Sequence, residues 1–421
     1  LSQAAPADPP PAPLRQAMAD IVMTDPAAHM YGDVLGLPAL RDRVAADWTR
    51  DYGGTVRADQ VAITSGCNQA FAAAIATLAR DGDNVILPVP YYFNHKMWLD
   101  TVGVDARILD TGDDLLPDPS AAAALIDDRT RAIILISPNN PGGVEYPADL
   151  MAAFRDLART RGIALILDET YRDFHAVDGA PHALFTDPDW DDTLIQLYSF
   201  SKAYRLTGHR VGAILAAPSR LREVEKWLDS VAICPTGLGQ RAALWGMENL
   251  GDWLAGERRE ILRRRTAIED GFAHRTDWPL LGCGAYFAYV MHPFDLPGCP
   301  RTGRPRRAAA SARHDVRTPA QRRWQRTGRT QPADRLCQCG RRWNCHAVQP
   351  AGRGGAKRAL TRRPDALAPG WPASYHSPTV SQGASHMAEK RRRKTSNTIM
   401  WVILGLLILA LGGFGIGGFG S

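Results

Sequence analysis

Lys202 lies in the run Ser199-Phe200-Ser201-Lys202, eight residues before Arg210 in Gly208-His209-Arg210-Val211-Gly212. A lysine amine can add to an aldehyde as a Schiff base, and a hydroxyl and a guanidinium nearby can hold an anion. Upstream, Ile166-Leu167-Asp168-Glu169-Thr170-Tyr171 ends an apolar strand with an acid. Burying that charge is unfavourable unless a cation pairs with it, although such an acid can also cap a turn or a helix. Ser137-Pro138-Asn139-Asn140-Pro141-Gly142-Gly143 follows another apolar run and by itself signals a turn. Thr64-Ser65-Gly66-Cys67-Asn68-Gln69-Ala70 falls between a strand and a helix. Backbone N–H groups at a helix start attract anions, which makes Gly66, Cys67 and Asn68 candidates. Cys67 reads as a small loop residue, because no histidine partner for a nucleophilic thiol is evident.

Together these segments resemble the class I and II aminotransferases that depend on pyridoxal 5′-phosphate (PLP), the aspartate aminotransferase fold family. The cofactor needs a lysine for its aldehyde, an acid opposite the pyridine nitrogen, donors for the phosphate and a donor for the ring oxygen. The resemblance implies that Lys202 holds PLP, that Asp168 keeps the pyridine nitrogen protonated, and that Tyr171 and Asn140 donate to the ring oxygen. Arg210, Ser199 and the backbone of Gly66, Cys67 and Asn68 are implied phosphate ligands. In Pro90-Tyr91-Tyr92-Phe93, Tyr92 matches the aromatic residue that stacks on the pyridine, with ordinary core packing as the alternative. Tyr31-Gly32 … Gly36-Leu37-Pro38-Ala39-Leu40-Arg41 resembles Y-G-x-x-x-G-x-x-x-L-R, whose tyrosine reaches the neighbouring subunit's phosphate. That implies a homodimer with shared sites. The likeness runs from about Tyr31 to Phe294, closing near Gly282-Cys283-Gly284-Ala285-Tyr286-Phe287, which resembles G-G-x-F/Y-F.

The elements that must position these residues follow an α/β pattern. Between Val61 and Pro218, β-branched runs start near Val61, Asn84, Ala132, Ala164, Leu194 and Val211, with amphipathic stretches such as Asp149 to Arg161 between several of them. This predicts a mostly parallel sheet flanked by helices, with ligands at the carboxyl ends of the strands. The resemblance specifies PLP fold type I. Arg220 to Ser230 and Gly256 to Asp270 read as charged amphipathic helices leading into a smaller, incomplete domain. The expected organisation is an N-terminal arm over 1–30, a PLP-binding large domain over 31–250 and the start of a small domain over 251–294.

The chain has 421 residues, 45% hydrophobic and 22% charged, which suits a globular protein. Its net charge of +6 is concentrated in an arginine-crowded stretch between 301 and 394, so it gives no reason to expect a nucleic-acid partner for the folded part. Seven cysteines without framework spacing point to a reducing, cytoplasmic setting rather than a disulfide-stapled secreted domain. The first residue is Leu and no signal peptide opens the chain, so the N-terminus reads as a fragment edge.

After Phe294 the apolar periodicity stops, and the family's P-G-x-x-F-G turn and its substrate-binding arginine in R-x-x-F-A are absent. A tract of this composition would be disordered. A shift of one base after about Pro297, with wobble bases free, lets 312–317 read P-G-T-M-F-G and 333–340 read R-I-G-F-A-N-A. The segment 295–386 is therefore expected to be out of frame, and Cys337-x-Cys339 … Cys345-His346 is not taken as a metal site. Over 387–421, Lys390-Arg391-Arg392-Arg393-Lys394 precedes an uncharged run from Thr398 to Phe419. This predicts one transmembrane helix with its basic end in the cytoplasm, and the segment resembles the N-terminal anchor of parvulin-type peptidyl-prolyl isomerases.

The expected activity is transfer of an amino group between an amino acid and a 2-oxo acid, impaired in the chain as written. A PLP-dependent C–S β-lyase on the same scaffold and a non-catalytic PLP-binding regulator are the alternatives, because the cofactor residues are shared and substrate contacts decide.

Overall fold

A computed structural model of the chain describes residues 5–275 and 278–291. The segment expected to be out of frame, its Cys337 to His346 cluster, the basic cap and the expected transmembrane run all lie outside these residues. Among the described residues no helix is long and apolar enough to cross a membrane.

In chain order the principal elements are α1 (Ala12–Thr24), α2 (Pro38–Tyr52), β1 (Val61–Thr64), α3 (Cys67–Leu78), β2 (Asn84–Val89), α4 (Phe93–Thr101) and β3 (Asp105–Asp110). There follow α5 (Pro119–Ala123), β4 (Thr130–Ile136), α6 (Ala148–Thr160), β5 (Ala164–Asp168), β6 (Leu194–Ser199), α7 (Phe200–Ala203) and β7 (Gly212–Leu215). The last are α8 (Pro218–Ala232), α9 (Gly237–Asn249), α10 (Gly251–Phe272), β8 (Leu280–Gly284) and β9 (Phe287–Val290). Proline opens α1, α2, α5 and α8, where its missing N–H has no helical partner to lose.

Seven strands form one sheet in the order β1-β7-β6-β5-β4-β2-β3. Pairing is parallel from β3 through β6, while β7 runs antiparallel between β6 and β1. The sheet is thus mostly parallel, as expected. β1, β5, β6 and β7 are buried along their whole length because helices cover both faces. Alternation along β5 sends Leu165 and Leu167 into the core beneath α2 and α6, and Ile166 into the core beneath α3 and α8. Each such side chain contributes about 1.5–3 kcal/mol by leaving water.

Two details differ from the sequence reading. β3 went unpredicted because it is a half-exposed edge strand, Asp105-Ala106-Arg107-Ile108-Leu109-Asp110, with no continuous apolar run. The helix read at Arg220 to Ser230, expected to lead away from the sheet, packs onto it as α8 through Leu221, Val224 and Leu228. α10 and the β8–β9 ribbon follow, and Ile261, Tyr286 and Phe287 gather around Tyr171 and Phe174.

Candidate active site

The sheet order brings the expected residues to one edge. Asp168 ends β5 and Ser199 ends β6, while Gly212 at the start of β7 pairs with both Ser199 and Thr64 at the end of β1. The loops leaving these positions therefore meet.

The first of them is built for an anion. Gly66 caps α3 with φ +87°, a conformation that side chains with a Cβ avoid. A Cβ there would stand 2.2 Å from Nη2 of Arg210, and one on Gly212 would stand 2.7 Å from the amide nitrogen of Cys67. Glycine at both positions thus lets the two backbones and the guanidinium close around the N-terminus of α3, whose first N–H groups lack helical partners. Nη1 of Arg210 donates to Thr207 O at 2.9 Å and to Oγ of Ser201 at 3.4 Å. Ser201, not singled out in the sequence, is the serine that meets the arginine. Ser199 instead is buried, and its Oγ accepts from the amide of Ser201 at 3.3 Å, so it caps the α7 turn that carries Lys202.

Lys202 is half-buried, and its Nζ lies 5.8 Å from the centre of the Tyr171 ring. Burial, helped by the charge of Arg210, pulls its amine down to about 8. Asp168 is 4% exposed. Its Oδ1 accepts from the amide of Thr170 at 2.9 Å, and its Oδ2 is 3.3 Å from Nε2 of His95. His95 is buried and stacked on Phe71 with ring centres 3.9 Å apart, yet neither of its ring nitrogens has a partner in hydrogen-bond geometry among the described residues. Sequence reasoning missed His95. The only available signal was its place three residues after Tyr92.

Tyr92 meets His95 edge-on at 5.2 Å. Burial raises its hydroxyl, against the lowering effect of Asn68 beside it. Tyr171 is buried, and burial together with Asp168 holds its hydroxyl well above the usual range. The thiol of Cys67 is pushed up by the same two causes. Asn140 is half-buried after β4 and makes no side-chain hydrogen bond among the described residues, while Asn139 is committed to the loop through Gly142 N, Tyr146 and Pro90 O. Tyr31 stands apart from the cluster, 81% exposed. Tyr286, unassigned in the sequence reading, lies 5.9 Å from the Tyr171 ring.

These residues fit PLP. The amine that would take its aldehyde is partly neutral near pH 8, a buried acid with an orphaned histidine beside it can face a cationic ring nitrogen, and the glycine-lined cradle beside Arg210 suits a phosphate.

Residues 1–295 match the family described as aminotransferase class I and II. The chain is 29% identical over 255 residues to the aromatic aminotransferase ISS1 of Arabidopsis thaliana, covering 58% of this chain and 63% of that one. It is 33% identical over 217 residues to the valine–pyruvate aminotransferase of Mycobacterium tuberculosis, covering 51% of this chain and 55% of that one. The chain thus spans less than two thirds of these relatives. Among solved structures, YbdL of Escherichia coli, whose structure and reactivity identified a methionine aminotransferase function, superposes with a TM-score of 0.64 at 26% identity, covering 69% of this chain and 77% of that one. A Thermus thermophilus aspartate aminotransferase mutant shares the fold, with a TM-score of 0.63 at 23% identity and coverage of 68% and 78%.

Proposed function

Because the chain belongs to the class I and II aminotransferase family, we propose that it is a PLP-dependent transaminase moving an amino group between an amino acid and a 2-oxo acid. The observation that carries this reading is the meeting, at one end of the sheet, of half-buried Lys202, buried Asp168 and the glycine-lined cradle beside Arg210. PLP, when bound, supplies an electron-withdrawing ring that stabilises the charge left at the substrate Cα. Nζ of Lys202, neutral in part of the population, would take the Cα proton as general base and deliver it to C4′ of the cofactor as general acid. Asp168 would pair with the ring nitrogen, while Tyr171, kept protonated by its surroundings, would donate to the ring oxygen together with Asn140. Arg210, Ser199 and the backbone of Gly66, Cys67 and Asn68 would hold the phosphate, and Tyr92 would cover the ring.

The test is direct. Borohydride treatment of the PLP-loaded chain is expected to fix the cofactor on the peptide containing Lys202; labelling elsewhere overturns the assignment. An amino acid is expected to yield its 2-oxo acid without free ammonia. Pyruvate released with ammonia would identify the C–S lyase instead.

We further propose a homodimer. Met30 and Tyr31 are exposed, as are Val231 and Ile233, and the amide of Gly32 donates to Sγ of Cys234 at 3.4 Å, so the two apolar segments adjoin. Burying them against a second copy brings Tyr31 toward a neighbour, and sedentation as a dimer that Tyr31→Asp weakens supports the pairing. A cytoplasmic setting for the core is proposed from the seven cysteines without framework spacing. The out-of-frame reading after Pro297 adds that a chain restored to the shifted frame regains activity through its carboxylate-binding arginine, whereas the 421-residue form stays weak. Equal activity of the two forms overturns it.

A further inference from the structure

Asp168 and Glu169 turn to opposite faces of the sheet, as successive residues at a strand end must. Asp168 meets His95 of α4, whereas Glu169 meets α2. Glu169 is 1% exposed. Its Oε2 accepts from Oη of Tyr52 at 2.9 Å and from Nε2 of Gln196, and Nε2 of His182 stands 3.2 Å away. Gln196 in turn accepts from Nε1 of Trp48 at 2.5 Å and donates to Oη of Tyr52 at 3.3 Å. The amide of Leu184 donates to Nδ1 of His182 at 3.2 Å, which places the ring hydrogen on Nε2, facing Glu169. Burial opposes the charge, yet His182 and Gln196 hold the carboxyl below its usual range.

A buried carboxylate is a costly way to fill a core, since apolar side chains of like volume are often as stable. What this one does is tie down a turn. The amide of Glu169 donates to Leu197 O at 2.9 Å and its carbonyl accepts from the amide of Arg172 at 3.0 Å. Asp168 and Tyr171 are carried on that same turn, with Thr170 N bonded to Oδ1 of Asp168.

We propose that Glu169 is a positioning residue: anchored to Tyr52, Gln196 and His182 on the far face of the sheet, its carboxylate sets where Asp168 and Tyr171 stand in the site. The inference rests on the reading that these two residues face bound PLP. Glu169→Gln keeps the volume but sets an amide NH2 among three donors, and Tyr52→Phe removes one donor while leaving the carboxylate. The readouts are the PLP dissociation constant, the pH midpoint of the bound-PLP absorption band and the melting temperature of the PLP-free 421-residue chain.

In Glu169→Gln the dissociation constant is expected to rise on the order of tenfold, the effect of weakening one hydrogen bond to a charged group. The midpoint is expected to move by about one unit, a tenfold change in proton affinity, with a smaller shift in Tyr52→Phe. An unchanged midpoint in both variants, with only the melting temperature lowered, overturns the proposal. Should Glu169→Gln fail to fold, an unchanged midpoint in Tyr52→Phe overturns it alone. A wild-type chain that shows no bound-PLP band overturns the underlying reading as well, and the wild-type titration tells the two failures apart.

Discussion

Nε2 of His95 lies 3.3 Å from Oδ2 of Asp168, and both side chains are almost wholly removed from water. One comes from α4 and the other from the end of β5, so the contact exists only once the sheet is assembled. The ring nitrogens of His95 are not in hydrogen-bond geometry with any described residue, but a polar ring 3.3 Å from a buried carboxylate still offsets part of the cost of burying that charge. His95→Phe keeps the stack on Phe71 and removes the nitrogen, so PLP is expected to bind up to about tenfold more weakly, roughly 1.4 kcal/mol. Added to Asp168→Asn, the same change is expected to cost little more, because the carboxylate it serves has gone. Equilibrium titration of the four chains checks this, and additive losses would show that His95 acts elsewhere.

Lys202 makes the PLP-free chain sensitive to pH in a stated direction. Burial and Arg210 pull its folded amine down to about 8 from the ordinary 10.5, so burying the charge opposes folding most fully below pH 8. Between these values the unfolded chain holds the proton and the folded chain does not, and stability therefore rises with pH. Lys202→Met removes the charge. It is expected to melt higher than the parent at pH 7, the gap narrowing from pH 8 upward and closing above 10.5. A gap that does not vary with pH contradicts the assignment.

Gly66→Ala puts a Cβ 2.2 Å from Nη2 of Arg210 at a φ of +87°. The backbone conformation alone costs about 1–3 kcal/mol for a residue with a Cβ, and the guanidinium must also leave its place. PLP affinity is expected to fall about tenfold, in line with the loss of one charge-assisted hydrogen bond. Gly53→Ala is the control, since Gly53 has a φ of +72° with nothing within 4 Å. It is expected to lower the melting temperature and leave PLP affinity alone. Equal affinity losses in the two variants would mean that the cradle has no special part.

Cys67 is expected to resist alkylation. Burial and Asp168 hold its thiol well above the usual range, and the thiolate is the reactive form. Iodoacetamide at pH 8 should leave Cys67 largely unmodified until the chain is unfolded, as peptide mass mapping reports. Labelling of Cys67 in the folded chain would reveal an activated thiol.

Much of this site was legible in the sequence because its chemistry hangs on strand ends. Asp168 closes an apolar run, Lys202 and Arg210 lie between two more, and Gly66 opens a helix directly after a strand, so local pattern placed them while the family resemblance supplied their expected roles. The Asp149 to Arg161 helix and the buried strands followed from the same periodicity. His95 did not, since α4 presents a mixed pattern and its partner is remote in sequence. Nor was it legible which serine hydroxyl caps the α7 turn, that of Ser199, and which meets Arg210, that of Ser201. The partners of Glu169 come from α2, β6 and the loop at His182. Periodicity tells which face of its own element a residue occupies, whereas those contacts depend on which elements the sheet order sets side by side, and only the tertiary structure decides that.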